Sequence, residues 1–122
     1  MNKGQALIPV LIIMLITMIL GVGVLHLSIG SLLLNSYWLE GEKVLMATEG
    51  ALENGLMRIL RNPGYSGESL QINEINCTIE TSGQAPVVMT AECSSLRSKR
   101  RLQAEVSFIN GEMLVSNYQE VE

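Results

Sequence analysis

Aspartate is missing from the chain: all twelve acidic side chains are glutamate. That excludes Asp-rich calcium loops and any site that depends on an aspartate. The single histidine, His26, is too little for a Ser-His-Asp triad or a metal centre. Two cysteines, Cys77 and Cys93, cannot form a disulfide scaffold, although they can form one staple outside the cytoplasm. Aromatics are only 4% of residues, and the net charge of −4 disfavours a nucleic-acid partner. No enzyme, metal, cofactor or small-molecule substrate is expected from this set.

The most telling absence is local. From Gln5 to Leu39 there is no Lys, Arg, Asp or Glu, and only His26 can titrate. Ala6 to Leu25 alone is about 20 residues, enough at ~1.5 Å per residue to span ~30 Å of hydrocarbon. With 122 residues, the chain has room for one small domain besides this segment. Lys3 before the segment and Glu40 and Glu42 after it favour an N-terminus inside and a C-terminal head outside, as a single-pass protein of the cytoplasmic membrane. A cleaved secretory signal would have a shorter apolar core and a small-x-small site. A plain signal anchor fits the length. The Gly-x-Gly at Gly21 lies inside the lipid-length run and is not a nucleotide loop.

The junction Lys3-Gly4-Gln5-Ala6-Leu7-Ile8-Pro9-Val10 resembles the class III leader of type IV prepilins and pseudopilins. The resemblance implies that residues 1–4 are a leader, that a prepilin peptidase cuts after Gly4, and that Gln5 becomes a methylated N-terminus. It also implies a helix, beginning with Ala6, Leu7 and Pro9 and running past Leu25, that moves from the membrane into a filament core beside other subunits. Family members commonly start with Phe and carry Glu at the fifth mature position; here Gln5 and Pro9 stand there. That Glu is understood to neutralise a neighbour's terminal ammonium in an apolar core, where an unpaired charge is costly. Lacking it, the chain is closer to minor and tip subunits than to major pilins. In a helix starting at Gln5, Pro9 would remove roughly one hydrogen bond. If Gly4 is never cut, Pro9 simply starts a transmembrane helix.

The helical period continues beyond residues 5–39 into an amphipathic stretch, residues 40–62. Leu34, Trp38, Gly41, Leu45, Thr48, Leu52, Leu56 and Ile59 recur in steps of three or four, widened by Tyr37, Val44 and Ala51. Leu45, Leu52, Leu56 and Ile59 are the residues expected to join this helix to the head. Tyr37 and Trp38 sit where the apolar run ends, as interfacial aromatics do. Arg58 and Arg61 suit a helix C-terminus, and Asn62-Pro63-Gly64 stops it. A helix from Ala6 to Arg61 would be roughly 80 Å long.

Residues 63–122 alternate instead. Ile75, Cys77 and Ile79 share one face, as do Val87, Met89, Ala91 and Cys93, with a hairpin through Ser82–Pro86. Pairing Thr78 with Glu92 sets Cys77 opposite Cys93 and Ile79 opposite Ala91. The cysteines then either form a bridge or remain two buried thiols. Leu102, Ala104, Val106 and Phe108 alternate in a third strand, and Asn110-Gly111 turns it into Met113–Tyr118, opposing Phe108 to Met113 and Val106 to Val115. The expectation is an antiparallel meander of four strands, preceded by a short strand near Leu70. Its apolar face needs the amphipathic helix as cover, giving an α+β fold like the pilin lollipop. Arg97, Lys99, Arg100 and Arg101, half of the eight basic residues, are expected in the connection between hairpins, as a solvated turn or a basic patch.

The function expected is that of a minor pilin or pseudopilin, partnered by other subunits, the peptidase and the membrane. The rivals are a single-pass anchored binding module without processing, and a small secreted adhesin with a cleaved signal.

Overall fold

In the computed structural model, residues 4–122 are described. One helix, α1 (Leu7–Arg61), precedes five strands: β1 (Gly67–Ile72), β2 (Ile75–Ser82), β3 (Val87–Ser94), β4 (Lys99–Ile109) and β5 (Glu112–Glu120). The strands form one antiparallel sheet in the order β1-β2-β3-β4-β5. The chain divides into two compact units, one ending at Tyr37 and one of Trp38–Glu122. In the first, α1 is exposed along its whole length. In the second, the rest of α1 packs on the sheet, which is the α+β arrangement expected.

The sheet is a chain of short connections, each chosen by local chemistry. Asn73 and Glu74, both with positive φ, turn β1 into β2, and Asn110-Gly111 (φ 53° and 83°) turns β4 into β5. Two consecutive positive φ values match the twist of the strands they join. The expected registers are present: Thr78 faces Glu92, Cys77 faces Cys93, Ile79 faces Ala91, Phe108 faces Met113 and Val106 faces Val115. The strand near Leu70 is β1, six residues long. Register shifts between Gln103 and Glu105, where Asn117 takes φ 52° and its Nδ2 donates to Glu105 Oε1 at 3.2 Å.

The core lies between α1 and the helix-facing side of the sheet. It holds Val44, Ala47, Ala51, Leu52 and Ile59 against Cys77, Ile79, Met89, Ala91, Cys93, Leu102, Ala104 and Val106. Thr48, the one fully buried polar side chain among the described residues, is satisfied by donating to the Val44 carbonyl at 2.7 Å. The buried stripe is rotated from the expected one. Leu52 and Ile59 are buried, Leu45 and Leu56 pack only at its margins, and Leu34 and Trp38 are exposed. The cause is the row Ala47, Ala51, Gly55 and Ile59, which lets the helix come close. A Cβ at Gly55 would lie 2.8 Å from Met89 Sδ and 3.1 Å from Ile79 Cγ2. Val44 and Ala51, read as flanking residues, are at the centre.

Candidate functional site

The N-terminal segment carries the first candidate. Gly4, Gln5 and Ala6 form an exposed turn, closed by the Leu7 amide donating to the Gly4 carbonyl at 3.3 Å. Gly4 has nothing within 4 Å of where a Cβ would stand. Lys3 lies outside the described residues. Because α1 starts at Leu7 rather than Gln5, Pro9 is its third residue. The first four helical amides have no partner within a helix, so Pro9 removes no hydrogen bond, which corrects the expected loss of one.

From Leu7 to Leu39 the apolar side chains are exposed on every face of α1, Leu7 and Leu25 each 63%. The hydroxyls of Thr17, Ser28, Ser31 and Ser36 donate to carbonyls three or four residues back, at 2.7–2.9 Å. These four hydroxyl donors are thus satisfied within the helix, as a hydrocarbon surround requires. The helix is long and apolar enough to cross a membrane.

The head carries the second candidate, and here the expectation fails. Only Arg97 sits in the β3–β4 connection; Lys99, Arg100 and Arg101 belong to β4. In a strand, alternate residues face opposite sides. Lys99 and Arg101 therefore meet Glu92 of β3, through Lys99 Nζ to Oε1 and Arg101 Nε to Oε2, both at 2.8 Å. Arg100 Nη1 pairs with Glu120 Oε1 at 2.6 Å. Hydrogen bonds from Lys99 and then Arg101, outweighing burial, hold the Glu92 carboxyl below its ordinary value. These three cations are cross-strand partners rather than a free patch.

Cys77 and Cys93 are joined in a disulfide. At the C-terminal end of α1, a hollow of about 500 Å³ is lined by Asn54, Met57, Arg58, Arg61, Asn62 and Tyr65. Arg58 Nε pairs with Glu68 Oε1 at 2.8 Å. Burial and then the charge of Glu68 raise the Tyr65 phenol above its usual value, against Arg58. Burial, followed by the charges of Glu49 and Glu53, raises the Tyr118 phenol above its usual value.

Sequence reasoning expected a connection between β3 and β4 but missed its tie to α1 and its exposed apolar side chain. Ser95 Oγ donates to Glu40 Oε1 at 2.7 Å, while Leu96 is fully exposed. The available signal was a lone leucine in the polar run Ser94-Ser95-Leu96-Arg97-Ser98. Comparison of the chain with protein-family models, curated proteins and solved structures returns no match.

Proposed function

We propose that the chain is a minor pilin or pseudopilin. It is inserted by α1 with its head outside, cleaved by a prepilin peptidase after Gly4, and assembled by helix packing at or near the tip of a type IV pilus or a type II secretion pseudopilus. One observation carries the reading. An uncharged helical segment of about 33 residues, preceded by an exposed Gly4–Ala6 turn, belongs to the same helix whose later half is the cover of an antiparallel sheet. A membrane anchor alone needs only ~20 apolar residues and no such continuation. The excess length and the all-round exposure support a segment that meets both lipid and neighbouring helices. Pro9 at the fifth position after the cut supports the tip or a minor place, where no neighbour's ammonium requires a carboxylate.

The second reading is a single-pass anchored binding module with no processing. Pro9 in the first turn of α1 favours it, because proline there is an ordinary start for any helix. Mass spectrometry of the mature N-terminus, in cells with an active prepilin peptidase, separates the two. A methylated chain starting at Gln5 is expected. An intact Met1, or a cut near residue 30, overturns the pilin reading.

A further inference from the structure

We propose that the β3–β4 loop, Ser95–Ser98, seats the head on a phospholipid surface, with Leu96 entering the interfacial layer at the depth of Trp38. The first ground is the rigidity of the loop. The Ser95 amide donates to the Ser98 carbonyl at 2.8 Å, and Ser95 Oγ accepts from the amides of Arg97 and Ser98 at 3.4 and 3.3 Å. Leu96 is therefore held away from its own core by a closed turn, at 101% exposure, the most exposed large apolar side chain of the head.

The second ground is where the loop stands. Met89 of β3 lies against Gly55, and Ser95 bonds to Glu40. Those fifteen helix positions cover roughly 22 Å, and the six strand positions about 20 Å. β3 thus runs back along α1 towards the end of the helix that carries Trp38 and Leu39. Both are exposed, at 74% and 54%, and they close the charge-free run. Leu96, one residue beyond Ser95, reaches the level of these side chains. A single exposed leucine is ordinary on a protein surface; one held level with an interfacial tryptophan is not.

The inference rests on α1 crossing a bilayer and not on cleavage or assembly. The test uses the full chain reconstituted in phosphatidylcholine–phosphatidylglycerol vesicles, with an environment-sensitive fluorophore at Leu96→Cys or, as the distal control, Glu112→Cys. The native cysteines are bridged and do not label. Co-flotation with the vesicles is checked first. In chains that float, the probe at 96 is expected to be blue-shifted and quenched by lipid-borne nitroxides, and the probe at 112 to stay aqueous. A probe at 96 as wet as that at 112 overturns the docking while leaving the anchor intact.

Discussion

Cys77 and Cys93 are directly opposed across β2 and β3, and their disulfide closes the hairpin from the core side. The separation of 16 residues makes the closed loop worth about 3 kcal/mol in the chain-entropy account. Reducing the protein without changing its sequence is therefore expected to lower the stability of the head by about that amount. In a domain of this size the melting temperature should fall by more than about 10 °C. Thermal scans with and without reductant check this, and coincident scans would remove the bridge from the account of stability.

Gly55 and Gly50 lie on opposite sides of α1 and should respond oppositely to alanine. Gly50 is exposed with nothing within 4 Å, so Gly50→Ala gains helix propensity, up to about 1 kcal/mol. Gly55→Ala would gain the same, but its Cβ meets the buried Met89 and the β-branched Ile79. Overpacking of this kind costs roughly 1–3 kcal/mol, so the net effect is destabilising. Denaturant titrations of the two variants should move in opposite directions.

Glu92 makes the head sensitive to acid. Its folded pKa lies below the ordinary 4.5 because Lys99 and Arg101 hydrogen-bond the charged carboxylate. The unfolded chain takes up that proton more readily, so the stabilisation is complete above about pH 4.5 and is lost as the pH falls through the lower folded value. The pair is partly exposed, and about 1 kcal/mol or less is expected after solvent screening. Glu92→Gln should lower stability near neutral pH, and its difference from the parent should shrink on acidification. A difference independent of pH would show that the carboxylate's charge is not what matters.

The registers of β2–β3 and β4–β5 were legible because alternation and turn chemistry agree. Asn110-Gly111 sets the β4–β5 hairpin, and alternation puts Cys77, Ile79, Ala91 and Cys93 on one face, where pairing Thr78 with Glu92 opposes the two cysteines as observed. The rotation of the α1 stripe was not legible. Ala47, Ala51 and Gly55 contribute little hydrophobic signal, yet their lack of bulk decides which side of the helix approaches the sheet. Lys99–Arg101 were read as a turn because a run of cations suggests solvent. The compensating acids, Glu92 and Glu120, are distant in sequence and become neighbours only through strand pairing. The tie of the β3–β4 loop to α1 was hidden for the same reason: Ser95 and Glu40 are 55 residues apart.

Pro9 offers the sharpest separation of the two functional readings. Since it is the third residue of α1 and costs no hydrogen bond, Pro9→Ala should leave helix content unchanged by circular dichroism. Pro9→Glu is a different change, because it places a carboxylate in the first turn of an apolar segment. The helix N-terminus stabilises that charge by about 0.3–1 kcal/mol, less than the cost of burying it without a partner. If the chain is cut after Gly4 and packs beside copies of itself, the carboxylate gains a neighbour's terminal ammonium. Cross-linking of the Pro9→Glu protein should then yield longer ladders than the parent, and only in cells with active prepilin peptidase. A plain anchor has no such amine, so its cross-linking pattern would be the same with and without the peptidase.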